Sequence, residues 1–420
     1  MPWKREYLHE NDVAFAVCGE VVMMLHCIPE LAIDDYIPRL RSQGERVPLA
    51  GTFELTHRCN NACIHCYINQ PPGDSAEKQN ELKYTDITRI LDETADMGCL
   101  WLLLTGGEPL LRKDFQDIYL YAKQKGFLIT LFTNGTLITP YLADLLKELP
   151  PISMEISIYG ATKATYEAVT RAQGSYRKCM KGIELLLDRH IPLKLKTVIS
   201  TANRHEFIAI KEFVEGLGLE FRFDALLNAR FDSSKDVTQL RIPPEDLVGL
   251  DVTDPKRKTG FLAHYQKTCG ADIEREFIFR CGAGMNSFLI DPHGKLGLCT
   301  LARTPGFDLK SGSFASGWNE FLPELRKQRY NKEATCRDCA IASICEQCPG
   351  WALLEHGDPQ TRVEYLCRVT HLRAKAFGIS AGQKEHRGPG TYLDIETGQD
   401  PSQTHFCREG LLASGSVSDM

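Results

Sequence analysis

Cys59, Cys63 and Cys66 stand in the run Thr56-His-Arg-Cys-Asn-Asn-Ala-Cys-Ile-His-Cys-Tyr67, a C-x3-C-x2-C triplet behind a short apolar stretch. Three thiolates on one tight loop can hold three irons of a four-iron cluster, leaving the fourth iron to bind a small molecule. An open coordination position marks chemistry rather than scaffolding, as it does in zinc sites. A zinc loop is the competing reading.

A second constellation lies in Leu102-Leu-Leu-Thr-Gly-Gly-Glu-Pro-Leu-Leu111. Gly106 and Gly107 let backbone pass close to a ligand, Glu108 offers a carboxylate, and Pro109 fixes a turn. The carboxyl-terminal half carries a third: Cys281, Gly294 and Cys299 as C-x12-G-x4-C, then Cys336-x2-Cys339-x5-Cys345-x2-Cys348, and Cys367. Cys269 precedes Cys281 by twelve residues. C-x2-C pairs also suit zinc.

The chain has 16 cysteines, and their clustering in a long sequence without a leader points to metal in a reducing cytoplasm rather than to disulfides. Cys18, Cys27, Cys99, Cys179 and Cys407 fall outside the clusters and read as small buried hydrophobes. A 420-residue chain that is 43% hydrophobic can bury a barrel-sized core and a smaller unit. Its net charge of −6 argues against a nucleic-acid partner. The charged start and the interruption of Val13–Leu25 by Gly19-Glu20 exclude a signal peptide and a membrane span.

These residues must be positioned by regular elements. Strand-like runs recur at Thr52–Leu55, Leu100–Leu104, Phe127–Phe132, Ile152–Ile158, Leu193–Ile199 and Leu219–Ala225, with helical patterns between most of them. Thr85 caps a predicted helix over 86–97 that Gly98 stops; Thr139-Pro140 starts one to Leu149; Asn203 starts one ended by Gly218. Six β/α repeats predict a parallel, nearly closed sheet with helices outside. Chemistry then gathers at the carboxyl ends of the strands, where Thr133-Asn134-Gly135 and Ser157–Gly160 also fall. In the last strand, Arg222 and Asp224 alternate with apolar residues and should face the lumen, as ligands or as a structural ion pair.

On the cysteine triplet, with an aromatic His65 just before its last member, and on Gly106–Pro109, the chain resembles the radical S-adenosylmethionine (SAM) enzymes. On the carboxyl-terminal cysteines it resembles their SPASM extension, found in peptide and anaerobic sulfatase maturases. The resemblance implies an α/β fold: a partial (β/α)6 TIM-like barrel with a C-terminal iron-sulfur extension. It divides the chain into an N-terminal extension (1–50), the barrel (51–230), a linker (231–268), the SPASM domain (269–380) and a disordered tail (381–420). It implies three [4Fe-4S] clusters and SAM. Cys59, Cys63 and Cys66 would hold the SAM-binding cluster; Cys336, Cys339, Cys345 and Cys367 a distal one; Cys281, Cys299 and Cys348 a nearer one. For the nearer cluster the fourth ligand is either Cys269 or absent. The chain has two residues between Cys345 and Cys348 where the family block has three.

His65, Gly106, Gly107, Glu108, Pro109, Asn134 and Ser157 would approach SAM. Arg171 and Lys196 either reach its carboxylate or only pack and solvate. Many relatives carry Asp at the place of Tyr159. The implied activity is reductive cleavage of SAM to a 5'-deoxyadenosyl radical and modification of a peptide or protein side chain. The implied partners are that substrate, an electron donor such as flavodoxin or ferredoxin, and a separate leader-peptide-binding protein, since residues 1–50 are short for such a module. A small-molecule or tetrapyrrole modifier and a non-catalytic electron carrier are the alternatives. No residue stands out as the catalytic acid or base.

Overall fold

The computed structural model describes residues 46–68, 70–268, 276–331 and 334–379, and the backbone of three strands before them. Cys27, Cys269, Cys407 and the tail from 381 lie outside the described residues. The chain forms two compact units, Met1–Val47 and Pro48–Met420. The first contains an antiparallel sheet of β1 (Lys4–Glu6), β2 (Val13–Cys18) and β3 (Val21–His26) in that order. The Val-rich composition of the last two strands, with only Gly19 and Glu20 between them, suits a hairpin.

In the second unit six strands lie parallel and in sequence order: β4 (Ala50–Glu54), β5 (Trp101–Thr105), β6 (Leu128–Thr133), β7 (Ser153–Ser157), β8 (Leu193–Val198) and β9 (Glu220–Asp224). The intervening helices are α1 (Ser75–Asn80), α2 (Tyr84–Asp96), α3 (Phe115–Gln124), α4 (Pro140–Glu148), α5 (Lys163–Thr170), α6 (Ser175–Leu187) and α7 (Phe207–Gly216). Strand alternation explains the layering. In β6, Ile129 and Leu131 are fully buried in the same core as Ile118 and Leu146 of the helices, whereas Leu128, Thr130 and Phe132 are half-buried. Full burial of each such aliphatic side chain contributes about 1.5–3 kcal/mol. The result is a partial (β/α)6 barrel.

Local signals set most helix ends. Thr139 Oγ1 accepts from the Leu142 amide at 3.2 Å, with Pro140 opening α4. Helix α2 begins two residues before its expected start, because the Asp86 carboxylate turns back to accept from the Lys83 amide at 3.1 Å. Gly98, with φ of +88°, stops it. Asn203 precedes a 3-10 turn, Arg204–Glu206, that runs into α7, as expected, but its side chain makes no cap bond to that turn. It bonds Ser200, and its amide donates to the carbonyls of Tyr159 (3.2 Å) and Val198 (3.0 Å), tying the ends of β7 and β8.

The cysteine-rich extension continues the barrel sheet, a feature the sequence did not suggest. Strand β10 (Ser287–Ile290) pairs parallel with β4, and β11 (Lys295–Gly297) and β12 (Phe307–Asp308) follow antiparallel. The nine-strand order is β12-β11-β10-β4-β5-β6-β7-β8-β9. Phe288 of β10 lies over Gly51 of β4, where any Cβ would collide with its ring. Residues 231–268, expected as a linker, contain helices α8 (Pro244–Thr253) and α9 (Pro255–Thr268). Helices α10 (Pro349–His356) and α11 (Glu364–Ala376) follow.

In the last barrel strand Arg222 stands in register with Lys196 and Asp224 with Val198, so the two charges share the lumen-side face of the sheet, as strand alternation implies. Both are exposed because β9 is the sheet edge, and they do not pair with each other. Arg222 reaches Glu155 at 3.4 Å, while Asp224 accepts from the Leu226 amide at 2.8 Å.

The extension is locked at its far end by Asp251 of α8, which is completely buried and pairs with Arg257 and with Arg373 of α11, each at 2.7 Å. Removing the carboxylate leaves Arg257 without its partner and buried Arg373 with only the half-exposed Glu346, at a cost of up to about 3–5 kcal/mol. Asp251→Ala should therefore lower the denaturant midpoint well below that of an exposed-site control such as Asp144→Ala; equal midpoints would refute the pairing.

Candidate functional site

The site is built where β4 and β5 end. Beyond the last paired strand residues the two connections run side by side: the Gly107 amide donates to the Thr56 carbonyl at 2.6 Å and the Glu108 amide to the Arg58 carbonyl at 2.9 Å. Gly106 has φ of +141°, a backbone region open to glycine. A Cβ there would overlap the Thr56 carbonyl, and one on Gly107 would overlap those of His57 and Arg58. The sequence reading attributed these glycines to close approach of a ligand. The structure shows that what approaches is the backbone leading into Cys59.

The cysteine loop is held from several sides. Ala62 and Ile64 donate their amides to the Thr170 and Val169 carbonyls at the end of α5, both at 2.9 Å. Arg230, in the connection after β9, donates to the carbonyls of Cys66 and of Ile64 (3.2 Å) and pairs with Asp236 at 2.9 Å. Sequence reasoning missed Arg230, since nothing in a lone arginine between two loops announces its partners. Cys59 Sγ accepts from the Asn61 amide (3.4 Å) and from Asn134 Nδ2 (3.6 Å). Burial, reinforced by the Glu108 charge, pushes the Cys59 thiol up to about 12. Burial likewise carries Cys63 well above the ordinary thiol range, with Cys66 and Cys59 adding to the effect. Such sulfurs keep their protons until a metal cation displaces them.

Glu108 is fully buried. Thr133 Oγ1 (2.8 Å) and the Leu110 amide (3.1 Å) donate to its Oε1, and the Asn134 amide (2.7 Å) to its Oε2. Pro109 opens the 3-10 turn that presents Leu110. Among the described residues no cation pairs with this carboxylate in an ion pair, and burial outweighs its donors to raise its pKa to about 7. His65 is also buried. Its Nδ1 has no hydrogen-bond partner, its ring meets Tyr159 edge-on at 4.7 Å, and burial, helped by Arg230, lowers its pKa to about 4. Ser157 is hydrogen-bonded to Tyr159, and the Asn61 amide group is buried without partners.

Further down the lumen, Lys196 lies 2.9 Å from the centre of the Phe132 ring and 3.1 Å from Glu155. Burial brings its pKa down to about 8 against the pull of Glu155. Arg171 caps α5 in a left-handed conformation and lines a 260 Å³ cavity with Cys59, Asn60 and Asn61.

In the extension two groups of thiols form. Cys348 is an electrostatic neighbour of Cys299 and Cys281, whereas Cys336 neighbours Cys345 and Cys339, and Cys367 neighbours Cys345 and Cys336. No described cysteine is in a disulfide.

Residues 53–214 match the model of the radical SAM superfamily. They form a radical SAM domain. The chain is 26% identical over 326 residues to an AdoMet-dependent heme synthase of Methanosarcina barkeri, covering 73% of this chain and 92% of that one. It is 28% identical over 339 residues to the mycofactocin maturase MftC of Mycolicibacterium smegmatis, covering 74% and 80%. Among solved structures, SuiB of Streptococcus suis bound to its precursor peptide SuiA superposes with a TM-score of 0.58 at 16% identity, covering 80% of this chain and 79% of that one. That domain marks the chain as an enzyme, and the radical SAM superfamily works with a four-iron cluster and SAM. No described helix is long and apolar enough to cross a membrane.

The residues present fit that pair of groups. A buried carboxylate that no described cation pairs with suits an ammonium, and three half-buried thiols with unpartnered polar atoms near them suit a metal cluster. For Glu108 the sign follows from its raised folded pKa: the folded state binds the proton more tightly between about 4.5 and about 7, so stability falls as pH rises through that window. The loss is on the order of 3 kcal/mol. In protein without SAM, Glu108→Gln should flatten this part of the stability profile; an unchanged slope would contradict the assignment.

Proposed function

We propose that this radical SAM enzyme modifies a side chain of a peptide or protein, and that the three thiol groups each carry a four-iron cluster. Cys59, Cys63 and Cys66 would hold the cluster at the barrel mouth. Glu108 would take the SAM ammonium, with Gly106, Gly107 and Pro109 shaping its turn and His65, Asn134 and Ser157 around it. When bound, the cluster and SAM supply one-electron cleavage to methionine and a 5'-deoxyadenosyl radical, given an electron from a donor such as flavodoxin or ferredoxin.

The chain's own residues do the rest. Glu108 would orient an ammonium, the Asn134 amides fix the Cys59 sulfur and the Glu108 carboxylate together, and buried His65 with the partly buried Tyr159 ring against it would limit water at the cysteine loop. Loss of a substrate hydrogen to the radical leaves a carbon radical. Making a crosslink or a double bond from it requires loss of one further electron and a proton, and clusters on Cys281, Cys299 and Cys348, then on Cys336, Cys339, Cys345 and Cys367, would accept that electron.

The observation that supports this reading is the pairing of β10 with β4, which brings the β10–β11 hairpin, with Cys281 before it and Cys299 after it, alongside the strand leading into Cys59. MftC, similar over four fifths of its length, is named as a maturase, and SuiB was solved with a precursor peptide. The heme synthase, covered over 92% of its length, keeps tetrapyrrole modification as the second reading.

Anaerobic reconstitution tests the core of the proposal. With dithionite and SAM the protein should release 5'-deoxyadenosine, and the Cys59, Cys63, Cys66 triple Ala variant should lose about four irons and all release while keeping its other iron. A triple variant that retains every iron would overturn it. Peptide- versus tetrapyrrole-dependent stimulation of release separates the two substrate readings.

A further inference from the structure

Outside the cysteine groups, one cluster of metal-ligating side chains is brought together from three separate elements. His57 stands in the connection after β4, Glu77 on α1, and His293 in the turn between β10 and β11. His57 Nδ1 lies 3.2 Å from Glu77 Oε1, and His293 Nε2 lies 2.9 Å from the same oxygen. The three donor atoms are all within 4.8 Å of one another.

The other face of His57 decides how these atoms must be read. Its Nε2 is 3.1 Å from Oε2 of Glu54, a carboxylate that is 1% exposed and pairs through Oε1 with Arg303 at 2.8 Å. Arg303 Nη1, which can only donate, lies 3.5 Å from the same nitrogen, but the Glu54 carboxylate, which can only accept, is nearer and takes the Nε2 hydrogen. In a neutral ring Nδ1 is then a lone pair, and it faces a carboxylate oxygen at 3.2 Å. A proton on His57 Nδ1 and the Nε2 hydrogen of His293 can each satisfy one contact to Glu77, whereas one metal ion serves His57, Glu77 and His293 together, and the convergence of the three donor atoms is what points to it.

We propose that His57 Nδ1, a Glu77 carboxylate oxygen and His293 Nε2 bind a divalent first-row metal ion of the zinc type, which ties the extension's β10–β11 turn to the loop leading into Cys59. Two imidazoles and a carboxylate are a zinc donor set, and bonds of about 2.0–2.1 Å place tetrahedral donors about 3.3 Å apart, close to the separations of the two pairs above. Glu54 plays the part of the outer carboxylate that fixes a ligating imidazole's tautomer and ring orientation.

The donors are also held in place before any ion arrives. The Glu77 amide donates to Asp74 Oδ1 at 2.9 Å. Asp291 Oδ1 accepts from the His293 (2.9 Å) and Lys295 (2.8 Å) amides, and the Leu82 amide donates to the Pro292 carbonyl at 2.7 Å. All three donor side chains are partly exposed, so the remaining position is open to water.

The test uses cluster-loaded protein incubated with zinc chloride and desalted, with zinc and iron counted by mass spectrometry and the zinc shell read by X-ray absorption. The wild-type protein should retain about one zinc with only nitrogen and oxygen neighbours near 2.0–2.1 Å. His293→Ala and Glu77→Gln should retain less than about a tenth of that with unchanged iron. Absence of bound zinc in the wild type, a sulfur shell near 2.3 Å, or equal retention in Glu77→Gln would each overturn the site. Should His293→Ala lose iron, the Glu77→Gln protein and the absorption shell decide the matter.

Discussion

The two backbone hydrogen bonds between the ends of β4 and β5 are the constraint on which the rest depends. They run from Gly107 to Thr56 and from Glu108 to Arg58, and only glycine lets the chains come so close. Their effect is to set a fully buried carboxylate beside Cys59, in a position where water cannot solvate it and no described side chain neutralises it. Burying a carboxylate this way is costly, and the barrel tolerates it through three neutral donors contributed by β6 and the turn after β5. A site that spends stability on an uncompensated anion is prepared to receive a cation.

A second consequence follows from β10. Because it extends the barrel sheet next to β4, the extension is not an appendage on a linker but part of the same hydrogen-bonded layer. The strand that delivers Cys59 is thereby flanked on one side by β5 with Glu108 and on the other by the hairpin that carries Cys299 and His293. Arg303 reinforces this joint, since it pairs with Glu54 and lies 3.6 Å over the Phe231 ring, itself packed on Tyr67 beside Cys66. Motion of the extension would disturb the cysteine loop directly.

Much of this was legible in the chain. The six barrel strands appear within a few residues of their expected places, because apolar runs between capped helices obey period and turn chemistry that are local. Cys59, Cys63, Cys66 and Gly106–Pro109 were visible as motifs for the same reason. What was hidden depends on long-range pairing: β10 against β4, the hold of Arg230 on the cysteine loop, the buried Asp251–Arg373 lock, and the meeting of His57 with His293. Gly107 was visible, yet the close passage of the His57–Arg58 backbone was not, as one sequence cannot say whether a glycine makes room for a ligand, for another stretch of backbone, or for both. The face of Arg222 and Asp224 was legible from strand alternation, whereas their exposure and the choice of Glu155 as the partner of Arg222 depend on β9 being the open edge of the sheet.

The central claim is that the cluster held by the Cys59 loop keeps one iron free of protein and that SAM occupies it beside Glu108. Electron paramagnetic resonance of the reduced, reconstituted protein before and after addition of SAM, with the extension's clusters subtracted using the Cys59, Cys63, Cys66 triple Ala variant, tests this most directly. The account predicts that SAM changes the spectrum of the barrel cluster, and that Glu108→Gln requires more SAM to produce the same change. A barrel-cluster spectrum indifferent to saturating SAM would mean that the protein itself fills the fourth position, and would contradict the account.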